Sequence, residues 1–253
     1  MEYIAHRENN LIQTVKEHSE GVAKLCSSFS IGILSDMAYN VGLFHDIGKY
    51  QKSFQKRISG ENIKIEHSIC GAKAVKEIFG DTNKIVELMS YIIAGHHTGI
   101  PDYGLQNNSV DDTTLLGRLK RETEDYSEYK NELKEKKLNI SSICEYFEIN
   151  KNDIESNVYD KLAFMCRYLY SCLVDADTID TVKFCKGVQY ETLQSVFSSC
   201  LKKINEKLES FTCKTELQRI RSKIQQQAFS KVNEKSNTIY VNATCLFGGV
   251  DIK

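Results

Sequence analysis

The stretch Val41-Gly42-Leu43-Phe44-His45-Asp46-Ile47-Gly48-Lys49 decides how this chain is read. An apolar run leads into a histidine and an aspartate side by side, followed by isoleucine, glycine and lysine. An aspartate carried into an apolar setting is costly unless it is paired or bound to a metal. Imidazole nitrogen and carboxylate oxygen together suit first-row divalent cations. The spacing predicts a helix over 35–47, with Ser35 or Asp36 as its N-cap and Gly48 as its stop.

Working outward, other histidines sit in the same kind of place. A helix predicted over 11–29 has Leu11, Val15, Val22 and Leu25 on one stripe, and His18 falls on it. A helix over 66–79 carries His67 in its first turn. A helix over 82–96 carries Ile85, Met89, Ile92 and Ile93 and ends in His96-His97. Further on, 158–176 has Leu162, Met165, Leu169 and Cys172 as its stripe, and Asp175 continues it, with Asp177 and Asp180 close by as competitors for that place. Taken singly, each of these residues reads as well as a core histidine, a cap or a local ion pair. Taken together they point to a metal site inside a helical body. No cysteines stand at zinc-finger spacing beside them, which argues against a structural zinc site.

Composition agrees with a helical, cytoplasmic chain. The 253 residues are 41% hydrophobic and 26% charged, with a formal net charge of −1. That length suits one globular domain, and the charge leaves no bulk attraction for nucleic acid. No apolar run is long enough to span a membrane, and the first residues lack a signal-peptide pattern. The nine cysteines form no C-x-x-C pair and read as reduced thiols. The single proline, Pro101, leaves room for long uninterrupted helices, so the fold expected is all-α. Residues 1–235 are expected to form one domain, with 118–138 as a charged insertion or exposed helix. Residues 236–253 are expected to be a separate tail; their segment 238–244 has the best β-like character in the chain.

Five motifs in order carry a resemblance: His18-Ser19, HDIGK at 45–49, EHSICGA at 66–72, AGHHTGIPDYG at 94–104 and SCLVDAD at 171–177. Together they resemble the HD nuclease domain of the type I CRISPR-associated helicase–nuclease, within the HD phosphohydrolase superfamily. The likeness extends over about 1–230, including a helix near Arg219-Ile220-Arg221. It implies an HD-domain helical bundle with a dinuclear metal site in its core. His18, His45, Asp46 and Asp175 would hold one ion. His67, His96 and His97 would hold the second, with Asp46 bridging. The ions would be divalent (manganese, nickel, cobalt, iron or magnesium). Lys49 would contact the scissile phosphate or help protonate the leaving group; its competing reading is an exposed loop lysine.

The activity implied is metal-dependent hydrolysis of single-stranded DNA in antiviral defence, with a CRISPR helicase and surveillance complex as partners and no membrane. The helicase itself is not expected from this chain, because 239–253 lack the phosphate-loop pattern G-x-x-x-x-G-K-[ST]. The basic stretch Tyr50–Arg57 is a candidate track for a strand, with Tyr50 or Phe54 stacking on bases and Lys52, Lys56 and Arg57 meeting phosphates. Thr98, Gly99 and Asp102 are candidates for the substrate rim. The alternative activity is hydrolysis of a cyclic dinucleotide or nucleotide by the same kind of site.

Overall fold

A computed structural model describes residues 2–231, apart from 82, 150–155, 188–193, 211 and 213–214. The β-like segment 238–244 and the expected tail at 236–253 lie outside the described residues. The chain divides into two compact units, Met1–Tyr190 and Glu191–Lys253.

The first unit is mostly helical, as expected. It opens with a small antiparallel hairpin, β1 (Ile4–Glu8) and β2 (Leu11–Thr14), in which Ile4 pairs with Thr14 and His6 with Gln13. The periodic stripe had suggested that the first helix begins at Leu11. Instead Thr14 caps it: its hydroxyl accepts from the Glu17 amide and the Glu17 carboxylate accepts from the Thr14 amide, a capping box. The helices are α1 (Val15–Phe29), α2 (Ser35–Phe44), α3 (Lys52–Ile58), α4 (Ser68–Phe79), α5 (Lys84–Gly95), α6 (Leu115–Leu119), α7 (Tyr129–Glu132), α8 (Ile140–Tyr146) and α9 (Ser156–Lys186). The second unit contributes α10 (Gln194–Glu209) and α11 (Glu216–Lys231), which expose Leu201, Ile204, Leu217, Ile220 and Ile224.

The core lies where α1 packs on α2 and α9, and α4 on α5. Val22, Met37, Val41, Leu43, Ile69, Met89, Ile92, Leu169 and Leu173 are fully enclosed there. Burying a side chain of this size contributes roughly 1.5–3 kcal/mol, so this cluster holds these five helices in register. Among the described residues no helix is long and apolar enough to cross a membrane.

Two expectations about surface segments change. Residues 118–138, expected as a charged insertion or exposed helix, carry three buried side chains, Arg118, Tyr129 and Leu133. The segment is also tied down from outside. The Tyr50 hydroxyl donates to Glu132 at 2.6 Å, and the Asn40 side chain exchanges hydrogen bonds with the Lys136 backbone in both directions. Its few apolar anchors are too sparse to form a periodic stripe among so many charges. In the stretch after Asp46, Tyr50 and Phe54 are core residues, with Phe54 set edge-on against the His67 ring. They are therefore not available to stack on bases, although Lys52, Lys56 and Arg57 are exposed.

Candidate metal centre

Helix ends deliver five of the donor residues, and the faces of α1 and α9 deliver the other two. His45 and Asp46 follow the last residue of α2, where a 3-10 turn over Ile47–Tyr50 takes the chain away. His67 precedes the first turn of α4, and His96-His97 follow α5. His18 lies on the inner face of α1 and Asp177 on α9. Gly48 makes this convergence possible: a Cβ there would sit 2.1 Å from the His67 carbonyl oxygen and 2.6 Å from its Cα. Both are backbone atoms, so neither can yield cheaply. Gly48→Ala is expected to cost about 1–3 kcal/mol. At this chain size that lowers Tm by about 5 °C, read by calorimetry on metal-free protein.

The carboxylate of Asp46 stands at the centre, fully buried. Its Oδ2 lies 3.3 Å from both His18 Nε2 and His45 Nε2. Its Oδ1 lies 3.3 Å from both His67 Nε2 and His96 Nε2, and 3.8 Å from His97 Nε2. The donor atoms thus form two groups sharing Asp46. One is His18, His45, Asp46 and Asp177; the other is Asp46, His67, His96 and His97.

The chemistry of the set fits divalent ions. Nε2 of His18, His45 and His96 and Oδ1 of Asp46 are buried and make no hydrogen bond, while Oδ2 of Asp46 has the Lys49 ammonium at 2.6 Å. Orphaned polar atoms at such density would be costly in an apolar core, and a cation is what satisfies them. The opposite ring nitrogens are engaged: His18 Nδ1 meets Asp180 Oδ2 at 2.8 Å, His45 Nδ1 the Gly42 carbonyl at 2.7 Å, and His96 Nδ1 the Ile93 carbonyl at 2.7 Å. These second bonds aim Nε2 inward, as for metal-ligating imidazoles in general.

The expected ligand Asp175 is corrected to Asp177. Asp175 is exposed, whereas Asp177 Oδ1 lies 3.3 Å from His18 Nε2 and 3.7 Å from His45 Nε2. The buried face of α9 runs through Leu169, Leu173, Ala176 and Asp180, so the stripe drawn through Cys172 followed the margin of that face. The other six expected ligands, His18, His45, Asp46, His67, His96 and His97, are brought together. Thr98 and Asp102 are exposed on the loop after the histidine pair. With Gly99 they line a cleft of about 610 Å³ that opens beside His67 and His97.

Three residues not picked out as parts of the site also converge on it. Asp180 accepts from Gln13 Nε2 at 2.7 Å as well as facing His18, and a Cβ on Gly21 would strike its carboxylate. His6 packs edge-on against the His18 ring, and its Nε2 is 3.3 Å from Lys49 Nζ. Both Gln13 and His6 come from the hairpin, which Gln55 ties to the 3-10 turn by hydrogen bonds to Ile4 and to the Lys49 carbonyl. Lys49 is not an exposed loop lysine: it is 4% exposed, and its Nζ is 2.6 Å from Asp46 Oδ2.

The electrostatics divide the two groups. Burial opposes the charged form of His45, but Asp46 and Asp177 outweigh it and raise the imidazole to about 10. His18 is likewise raised, its burial outweighed by the facing carboxylates of Asp177, Asp180 and Asp46. Asp46 is held well below the usual carboxylate range: Lys49 and the histidines overcome its burial. His96, by contrast, is lowered to about 4, chiefly by burial, and Asp46 offsets this only in part.

A ligating imidazole must be neutral. At pH 7.5 a first ion entering the group of His18, His45, Asp46 and Asp177 would therefore displace a proton from His45, while a second entering the other group would find His96 already neutral. The expected result is a larger proton release with the first ion, and an affinity for it that climbs with pH toward about 10. Calorimetric titration in buffers of differing ionisation enthalpy measures both.

Comparison with known proteins agrees with this geometry. No curated protein gives a significant match to the chain. A family model, described as HD domain, matches residues 15–144, half of the chain, and so takes in six of the seven ligand positions. The chain belongs to the HD domain family, whose typical activity is metal-dependent phosphohydrolysis.

Proposed function

We propose that this chain is a two-ion nuclease that hydrolyses phosphodiester bonds of single-stranded DNA in CRISPR antiviral defence. The observation that carries the reading is the second ligand group, His67, His96 and His97, sharing Asp46 with the first. A site for one ion needs only His18, His45, Asp46 and an aspartate from α9, and would leave those three histidines without a purpose.

A pair of divalent ions bound in these groups would supply an activated water and stabilisation of the leaving oxygen. The chain's own residues prepare the rest. Neutral imidazoles and only two carboxylates, Asp46 and Asp177, leave the loaded site positive toward an anionic backbone. The hydrogen bonds from Asp180, Gly42 and Ile93 hold three imidazoles in place before substrate arrives. Lys49 Nζ, between Asp46 and His6, is the ammonium nearest the shared carboxylate and supplies positive charge or a proton to the scissile group. The open cleft beside His67 and His97 admits a nucleotide chain.

The preference for single-stranded DNA follows from the five resembling motifs. With a net charge of −1, the isolated chain is expected to bind DNA weakly, since phosphate contacts and counterion release supply most non-specific affinity. A helicase and surveillance complex would deliver the strand. The test is cleavage of circular single-stranded DNA with a panel of divalent ions. Cutting that needs a transition metal supports an endonuclease. Intact DNA alongside hydrolysis of a cyclic dinucleotide, by protein with confirmed metal, replaces this reading with the small-nucleotide one.

A further inference from the structure

His67 differs from the other buried ligands in how it is held. His18, His45 and His96 each have Nδ1 fixed by a hydrogen bond, whereas Nδ1 of His67 is buried and has no partner. His67 also sits outside any helix, at the end of the irregular stretch before α4. Phe54 packs against the ring and His97 Nε2 lies 2.6 Å from its Nε2, but with no bond at Nδ1 the ring's placement leans on the backbone on either side.

Arg118 grips both of those neighbours. Its Nε donates to Glu66 Oε1 at 2.6 Å, and its Nη2 donates to Ser68 Oγ at 3.0 Å. Arg118 is 6% exposed, and Arg121 pairs with the other oxygen of Glu66. Ser68 Oγ in turn donates to the Ala94 carbonyl at 3.4 Å, two residues before His96. One planar fork thus spans the residues before and after His67 and reaches the end of the helix that presents His96 and His97.

We propose that Arg118 is a positioning residue for the second ion, doing for His67 through Glu66 and Ser68 what a direct Nδ1 hydrogen bond does for the other ligands. The proposal rests on the two-ion reading of the site. The first group draws on α1, α2 and α9, so its ion does not depend on Arg118. A lysine there keeps the charge but cannot reach Glu66 and Ser68 together in the geometry of a fork.

The test compares the wild-type chain with Arg118→Lys. Melting and circular dichroism in chelator first establish that the variant folds. Manganese is then titrated, with binding followed by dialysis and metal analysis, and electron paramagnetic resonance reports whether the ions are coupled. Loss of an outer support of this kind weakens metal binding about 10- to 100-fold. The expected result is that weakening for the second ion alone, with a mononuclear spectrum where the wild type gives a coupled pair. Two ions bound with wild-type affinity by folded Arg118→Lys would overturn the proposal. A wild-type chain that itself takes a single ion would overturn the two-ion reading instead, before Arg118 is in question. If Arg118→Lys does not fold, Glu66→Gln serves in its place, with the same selective loss expected and the same result counting against it.

Discussion

Asp177→Asn is expected to weaken binding of the first ion by more than about 100-fold, beyond the loss typical of an outer-sphere change, while Asp175→Asn leaves it unaltered. The two residues stand on one helix, two positions apart, and a helix turns about 200° over that distance. Asp177 therefore faces His18 and His45 while Asp175 faces solvent. An exposed substitution of that kind usually stays within about 0.5 kcal/mol in stability. Manganese titration of the two variants side by side gives the answer, and a weakened Asp175→Asn with an intact Asp177→Asn would reverse the assignment.

Asp46→Asn has the wider reach, because both ligand groups share that carboxylate. Neither ion should bind at micromolar metal, and hydrolysis should fall by at least about 10⁴-fold, equivalent to about 5.5 kcal/mol on the barrier. A second effect appears without any metal. Lys49, buried with its ammonium 2.6 Å from Asp46, loses its anionic partner. Stranding one member of a buried pair costs about 3–5 kcal/mol, so the metal-free variant should melt well below the wild type. The double variant Asp46→Asn/Lys49→Met separates the two effects. It should regain most of the stability and none of the metal binding; a double variant as unstable as the single one would show that Lys49 is not what destabilises it.

The legible part of this site consists of polar residues that interrupt apolar helices. His45-Asp46, His67 and His96-His97 stand out because nothing in a core helix calls for them. The all-α body was legible for the same reason, its apolar stripes being long. Asp177 was less so, since the choice between neighbouring aspartates turns on the rotational phase of α9, and the stripe through Cys172 put that phase off by a fraction of a turn. His6 and Arg118 had no local signal at all. One reaches Lys49 across 43 residues and the other reaches Ser68 across 50, from a hairpin and from a five-residue helix too short to show a helical period. Such partners are set by tertiary packing alone. Gly21 and Gly48 belong to the same class: they are needed because Asp180 and the His67 backbone come too close for a Cβ.

The length of α9 carries a mechanical consequence. Its 31 residues make a rod about 46 Å long, and Asp177 and Asp180 sit within its last three turns. From Asp177 to the end at Lys186 is about 13 Å of unbroken helix. Sliding that rod along its axis by a single residue is a movement of about 1.5 Å. That is enough to pull Asp180 out of its 2.8 Å contact with His18 and to draw Asp177 away from His18 and His45. The geometry of the centre is thereby tied to the axial position of α9 within the first unit.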